Sequence, residues 1–157
     1  MIRESEDAIM ARVETVVVMG RSKQAIALLG PRIVPLANYE SQLRRCWLYQ
    51  AHHEAGERTN ATQVLTVIRA CMGTHSWASL VAAEFFAFVG ELDLAEEAAL
   101  SWARIAPDPG WTAEDYAQES NYHLEQITMC AAAGMAPERA VAWSAQLREH
   151  LAALRAS

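Results

Sequence analysis

Two histidines and a glutamate crowd one end of a predicted helix, and they are the side chains best suited to binding a metal. His53 and Glu57 are four residues apart, so both would face one ion if the helix continued past Gly56. The sequence offers no third ligand at a suitable spacing. A polar helix end, where a protonated His52 or His53 favours the C-terminal dipole, explains the same residues. We therefore predict no metal site and no cofactor.

Nucleophilic catalysis would need a thiol or hydroxyl within hydrogen-bonding distance of a base. Cys46 and His53 fall on one helix face, but the intervening turns separate them by about 10 Å along the axis. His123 and Glu125 are two residues apart and point to different sides of their helix. Because no acid–base pair emerges, we predict that the chain is not an enzyme and that it has no catalytic residues.

The balance of charges disfavours nucleic acid as a partner. The net charge is −6, and 12 of the 13 basic residues are arginine. The nearest basic patch, Arg44-Arg45, is too small to overcome the repulsion between an acidic chain and a phosphate backbone. A basic surface on a protein partner is the better electrostatic match.

Cysteine usage and the N-terminal segment favour a cytoplasmic protein. Cys46, Cys71 and Cys130 are widely separated within apolar segments, which fits buried reduced thiols better than disulfides. The segment Ile2–Asp7 is acidic, unlike the start of a signal peptide. The uncharged segment Val16–Met19 is far shorter than the roughly 20 residues of a membrane span. We therefore predict a cytoplasmic protein that does not contact membranes.

The composition and the apolar periodicity indicate an all-α fold. Hydrophobic residues make up 52% of the chain and charged residues 20%, which is typical of a folded domain rather than a disordered one. Alanine, the best helix former, supplies 30 of the 157 residues. Apolar residues recur with a 3.6-residue period in about eight segments, which we group as four antiparallel helix pairs in a single domain over residues 1–157. The pairs span about residues 5–35, 39–72, 76–106 and 112–156.

Glycine, proline and capping residues predict where these helices begin and end. Asn60 with Gln63, and Thr112 with Asp115, have the spacing of a capping box. The fifth helix is apolar nearly all round, so we expect it to be buried at the centre. A loop through Pro35 follows the second helix. The predicted helices are Ser5–Met19, one from Ser22 to Gly30, Tyr39–Ala55, Asn60–Met72, Ser76–Val89, Leu92–Ile105, Thr112–Ala133 and one that begins at Pro137.

Trp111 stands just before the Thr112 cap, and two roles suit it. As a hydrophobic staple it would pack on the first turn of the seventh helix, which is the role that we predict. If it is exposed instead, it would anchor a partner, because exposed tryptophan is a typical interface hot spot.

Three of the helix pairs turn on a glycine that is followed five residues later by an alanine. The three glycines are 36 and 34 residues apart. The glycine permits a tight turn, and the alanine lets the second helix approach the first closely. The residues are Gly20 with Ala25, Gly56 with Ala61, and Gly90 with Ala95.

The segment from Ser76 to Pro109 resembles a tetratricopeptide repeat. That family has small, aromatic, glycine, alanine and proline residues at about positions 8, 11, 15, 20 and 32 of a unit of roughly 34 residues. Trp102 departs from the pattern, since the family has a small residue there, and we expect looser or shifted packing on the next pair. The segment Gln42–His75 and the outer pairs match in part. The resemblance implies an α-solenoid of about four helix pairs. Numbered from Ser76, the matching residues are Ala83, Phe86, Gly90, Ala95 and Pro107.

In that family the first helices of successive pairs line a concave groove that holds a peptide or a helix. The lining implied here is apolar with scattered acids, and it lacks the lysines and asparagines with which some members of the family grip a terminal carboxylate. The resemblance therefore predicts a partner segment that is apolar with basic residues. The groove residues carried over are Met10, Glu14, Val17, Cys46, Gln50, His53, Leu80, Glu84, Phe88, Leu124 and Thr128.

We therefore predict a protein- or peptide-binding module that acts as an adaptor or chaperone. The chain is also similar to bacterial type III secretion chaperones, through the Ala-Ala-Glu segment at 82–84 and the segment 90–96, and such a chaperone is the specific alternative. A second alternative is an all-helical bundle that binds a small ligand or catalyses a reaction, with a pocket near His53 and Glu84. The apolar first helix leaves a homodimer open as well.

Overall fold

The protein is built from α-helices. The structure, a computed structural model, describes residues 5–30, 39–105 and 109–156. These residues contain no β-strand, so the all-α prediction is confirmed. The predicted loop through Pro35 and the repeat position Pro107 lie outside them. The helices are α1 (Glu6–Val18), α2 (Ser22–Leu29), α3 (Tyr39–Glu54), α4 (Arg58–Thr74), α5 (Ser76–Val89), α6 (Leu92–Arg104), α7 (Ala113–Gly134) and α8 (Pro137–Ala156).

None of the helices in the described ranges is both long and apolar enough to cross a membrane.

The turns α1/α2, α3/α4 and α5/α6 share one backbone geometry. In each, a glycine adopts the left-handed conformation, with φ of +75° at Gly20, +76° at Gly56 and +83° at Gly90. The N–H of the following residue donates to the carbonyl five residues earlier, over 2.7–2.9 Å in all three turns. Together with a bond from the glycine N–H, this forms a Schellman motif, which satisfies two carbonyls that a helix end leaves unpaired. The next helix then begins two residues after the glycine.

This common spacing corrects the predicted start of α4. We predicted a capping box at Asn60, but α4 begins at Arg58, two residues after Gly56, as the other two turns also require. Asn60 therefore lies inside the first turn, and its Nδ2 donates to Glu57 Oε2 over 3.1 Å. The capping prediction was wrong because the turn, rather than the Asn60 side chain, determines where the helix starts.

The alanines that follow the turns are buried, as their spacing predicts. Ala25, Ala61 and Ala95 expose at most 5% of their surface. In each case the N–H donates to the carbonyl of the residue just after the glycine, which forms the first helical hydrogen bond of the new helix. A larger side chain at these positions would have to displace a neighbouring helix.

The chain divides into two compact units, Met1–Ala70 and Cys71–Ser157, and the prediction of one domain stays a prediction. In the first unit, α2 packs against α1 and α3, and α1 also contacts α3. Gln42 of α3 is fully buried, and its Nε2 donates to the Ile68 carbonyl of α4 over 3.2 Å. Arg45 Nε donates in turn to Gln42 Oε1 over 3.2 Å, so the buried amide is bonded on both sides.

In the second unit α5 is the central helix, packed against both α6 and α7, and the prediction that it is buried is confirmed. The Met72 carbonyl, in the last turn of α4, accepts hydrogen bonds from the hydroxyls of Ser79 and Ser101 over 3.0 and 3.3 Å. Side chains of α5 and α6 thereby satisfy a carbonyl at a helix end, where helical donors run out. α8 packs against α6 and α7, and a contact between His150 and Glu96 joins it to α6.

The predicted capping box at the start of α7 is confirmed. Asp115 N–H donates to Thr112 Oγ1 over 3.1 Å, and Thr112 N–H donates to Asp115 Oδ2 over 3.0 Å. These bonds hold the pKa of Asp115 below its usual range. Trp111 is 44% exposed. Tyr116, with which a staple would pair it, stacks on Trp102 instead, at 5.9 Å between ring centroids.

The backbones of α5 and α7 approach each other closely at Gly134, the last residue of α7. A Cβ placed on Gly134 would lie 1.9 Å from the carbonyl oxygen of Phe88, so no larger residue fits without movement of a helix. Phe88 is next to the last residue of α5. Because the two C-terminal ends meet, α5 and α7 run side by side in the same direction.

We predict that Gly134→Ala lowers the free energy of unfolding by about 2 kcal/mol, because the added methyl group forces α7 away from the α5 backbone. Gly73→Ala is the matched control, since Gly73 also lies near a helix end and a Cβ there meets no atom within 4 Å. We expect this control to be neutral or to stabilise by up to about 1 kcal/mol. Urea unfolding followed by circular dichroism measures both. Equal stabilities would contradict the close contact between α5 and α7.

Candidate functional site

Five of the predicted partner-binding residues lie on α5 and α7 in the second unit, and all five are half-buried. Half-burial leaves part of each side chain accessible while the rest packs on the unit. The two helices are adjacent, and Thr128 also lines a cleft between α7 and α8. We name this set the α5–α7 strip, and it consists of Leu80, Glu84, Phe88, Leu124 and Thr128.

Glu84 is the charged residue of the α5–α7 strip. Its carboxylate forms no hydrogen bond with the described residues. Burial raises the pKa of Glu84, and the nearby His123 opposes that rise. Cys130 lies close on α7, and its pKa is raised by burial and by the charge of Glu84. A carboxylate that is partly desolvated and unbonded favours the approach of a positive group.

His123 is held by neighbours that sequence analysis did not identify. Its Nε2 lies 3.2 Å from Glu119 Oε1, one helical turn earlier, and not beside Glu125. The rings of Trp102 and Tyr122 meet the imidazole edge-on, with centroids 5.5 and 5.3 Å away. The i,i+4 spacing of Glu119 and His123 is a signal that could have revealed the first contact. The contact with Trp102 shows how α6 accommodates a large residue where a small one was expected.

The other six predicted groove residues lie in the first unit, and half of them are buried. Val17, Cys46 and Gln50 are enclosed by protein and offer a partner almost no surface. Of the other three, Met10 is half-buried, and Glu14 and His53 are exposed. These three residues belong to α1 and α3. The predicted groove face of this unit is therefore accessible at its margins rather than along its length.

Burial also determines the chemistry of Cys46. The thiol is fully buried, which raises its pKa well above the ordinary range, and the opposing effect of Arg45 is smaller. It is therefore held in the thiol form and is a poor nucleophile. His53 is exposed and stacks on Tyr49, with ring centroids 5.7 Å apart.

Gln50 belongs to a polar chain that links α3 to α2. Its Nε2 donates to Glu54 Oε1 over 3.0 Å, and the Ser22 hydroxyl donates to Glu54 Oε2 over 3.3 Å. A cleft of about 400 Å³ beside this chain is lined by Glu54 and by the basic residues Arg21 and Lys23. Because the Glu54 carboxylate already lies at the start of α2, the cleft offers no separate anion site.

The candidate metal ligands separate at the end of α3. The helix ends at Glu54, and the left-handed Gly56 turns the chain, so His53 and Glu57 do not share a helix face. Glu57 Oε2 lies 2.9 Å from His52 Nδ1 instead. The bonds from Asn60 and His52 lower the pKa of Glu57. Within the described ranges, no three or more histidine, cysteine and acidic side chains are grouped so that they could hold a metal ion.

Comparisons with protein-family models, with curated proteins and with solved structures found no match to this chain.

We predict that Glu84→Gln raises the melting temperature at pH 7. Because the folded-state pKa of Glu84 lies above its ordinary value of 4.5, folding disfavours the charged form. Stability therefore falls as pH rises from the unfolded-state pKa through the folded-state pKa, and the full cost is present at neutral pH. Below about pH 3 both states are protonated, so the charge-dependent difference between variant and wild type should vanish.

Differential scanning fluorimetry from about pH 2.5 to 8 measures this effect. Glu125→Gln is the control, because it removes an exposed carboxylate from α7 of the same unit and should leave the pH dependence unchanged. A Glu84→Gln variant that is less stable than wild type at pH 7 would show that the carboxylate has a favourable partner.

Proposed function

We propose that this chain is a tetratricopeptide-type helical repeat protein that holds a segment of another protein. The observation that carries the proposal is the recurrence of one turn, with a left-handed glycine at residues 20, 56 and 90 and a buried alanine five residues later. Local helix propensity alone does not require three turns to share a hydrogen-bond pattern at a spacing of 34–36 residues. A repeating helix-pair unit accounts for it.

The packing inside the second unit supports the same proposal. Repeats of this type stack so that the first helices of successive pairs lie side by side. α5 and α7 would be the first helices of the third and fourth pairs, and they run parallel, with Phe88 against Gly134. The α5–α7 strip then corresponds to the inner face on which such proteins bind their ligands.

The chemistry of the α5–α7 strip favours an apolar ligand with one basic side chain. Leu80 and Phe88 lie one helical turn on either side of Glu84, so an apolar segment that covers them would bring its own polar groups to the carboxylate. Glu84 has already lost part of its hydration and has no hydrogen bond to give up. A lysine or arginine from the partner would therefore gain a charge pair at little further desolvation cost to Glu84.

The role that follows is binding rather than catalysis. The protein would act as an adaptor or chaperone that shields the apolar segment of its partner, and a secretion chaperone is one specific form of that role. The burial of Cys46 supports this role, because a fully buried thiol with a raised pKa is a poor nucleophile at neutral pH.

The test is recovery of a partner from the extract of the source cells with the immobilised full chain, followed by quantitative mass spectrometry. We predict that Glu84→Lys reduces recovery of the specific partner at least about tenfold, because the charge reversal opposes the basic residue of the ligand. Phe88→Glu should do the same by removing apolar contact. Ala117→Glu, an exposed change on α7 outside the α5–α7 strip, is the matched control.

Circular dichroism verifies that each variant keeps its helical content. A partner that Glu84→Lys and Phe88→Glu retain as fully as Ala117→Glu does would contradict the assignment of the α5–α7 strip. A partner that binds all variants except a folded Glu14→Lys would move the binding surface to the first unit.

A further inference from the structure

A second concave surface lies between α7 and α8, and it shares Thr128 with the α5–α7 strip. It is an open cleft of about 460 Å³ within the second unit. A volume in the range of about 300–1,000 Å³ is typical of ligand sites and has room for several side chains. The residues that line it are Thr128, Met129, Ala132, Ala140, Val141, Ser144, Ala145 and Arg148.

The walls of this α7–α8 cleft are apolar. Met129 is 63% exposed and Val141 is 70% exposed, which is high for side chains of this kind in a folded protein. The two hydroxyls in the lining do not make the cleft polar, because each already donates its proton to a backbone carbonyl of its own helix. Thr128 Oγ1 donates to the Glu125 carbonyl over 3.0 Å, and Ser144 Oγ donates to the Ala140 carbonyl over 2.7 Å.

Arg148 supplies the charge of the α7–α8 cleft. Among the described residues that line the cleft, it is the charged one. Its guanidinium forms no hydrogen bond or ion pair with the described part of the chain. The acidic residues nearest in sequence, Glu138 and Glu149, are exposed and do not line the cleft. The net charge of the chain is −6, yet Arg148 is unpaired beside an apolar cleft. A carboxylate of a partner molecule would complement its charge.

We propose that the α7–α8 cleft docks an amphipathic helix of a partner protein whose apolar stripe ends in an aspartate or glutamate. The cleft between two neighbouring helices is the kind of groove into which a third helix lays its apolar side chains. Val141 and Arg148 lie seven residues apart on α8, about 10 Å along the axis. A docked helix would therefore carry apolar residues at i and i+4, with a carboxylate at i+7.

This site differs from the α5–α7 strip in the charge that it selects. Glu84 favours a basic ligand, whereas Arg148 favours an acidic one, so the proposal goes beyond the function proposed above. A second copy of the chain is a less suitable occupant. Stable protein–protein interfaces bury about 800 Å² on each partner, while Met129 and Val141 are the large apolar side chains that this cleft offers.

The experiment uses the full chain and three synthetic helical peptides of about 15 residues, a length at which an alanine-rich peptide is marginally helical. All three carry leucine at i and i+4 and differ at i+7, where one has Asp, one Asn and one Lys. Fluorescence anisotropy measures the dissociation constants. We expect the Asp peptide to bind about fivefold more tightly than the Asn peptide, the value of a well-formed exposed ion pair, and the Lys peptide to bind most weakly.

Two arginine variants test whether Arg148 causes the preference for the Asp peptide. Arg148→Glu should reverse the order, so that the Lys peptide binds best. Arg139→Glu removes an exposed arginine of α8 that does not line the cleft, and it should leave the order unchanged. The methyl resonance of Met129, assigned through Met129→Leu in ¹³C-methyl-labelled protein, should shift when the Asp peptide is added.

Several results would overturn the proposal. They are the absence of binding by any peptide at about 1 mM, equal affinity for the three peptides, and an order that Arg148→Glu leaves unchanged. A wild-type dimer in analytical ultracentrifugation that Val141→Glu converts to a monomer would also overturn it, because a second copy would then cover the cleft.

Discussion

Three of the turns between consecutive helices depend on a glycine that adopts the left-handed conformation at the end of a helix. A residue with a Cβ would pay about 1 kcal/mol or more for that conformation. Gly20, Gly56 and Gly90 adopt it, and each turn then pairs two carbonyls at the helix end and starts the next helix two residues later. The residue at which the second helix begins determines which of its side chains is buried, and an alanine occupies that buried position in all three turns. One local backbone choice thus determines the register of three helix pairs.

The fourth pair lacks this turn, and its surface differs accordingly. Gly134 ends α7, but its role is to let the α7 backbone meet the carbonyl oxygen of Phe88 on α5. The next residue, Met135, is extended, with φ of −149° and ψ of 173°, and α8 begins only at Pro137. No Schellman motif therefore draws α8 back against α7. Met129 and Val141, on the two helices that line the open α7–α8 cleft, are both exposed.

The sequence predicted local features well and tertiary ones poorly, for a physical reason. Helix ends agree within two residues because glycine, proline and capping groups act over a few residues, as the bonds between Thr112 and Asp115 show. Helical periodicity indicates that Cys46 and Gln50 share a face, but it does not indicate that neighbouring helices cover that face. The α7–α8 cleft depends on how α7 and α8 pack against each other. No short spacing in the sequence encodes that packing.

The two binding surfaces proposed for the second unit would act over different distances. The net charge of −6 attracts basic segments from a distance and raises the rate at which they arrive. At physiological ionic strength this attraction is screened beyond about 8 Å. Arg148 can therefore select a carboxylate only once an apolar helix has entered the α7–α8 cleft, since there the pair is close and partly shielded from water. In the proposed binding modes, the charge of Glu84 would add to the attraction from the net charge, and the charge of Arg148 would oppose it. A partner that used both surfaces would need a basic segment for the first approach and an acidic helix end for docking. The approach would come first, because the attraction to the net charge acts over a longer distance than the ion pair with Arg148.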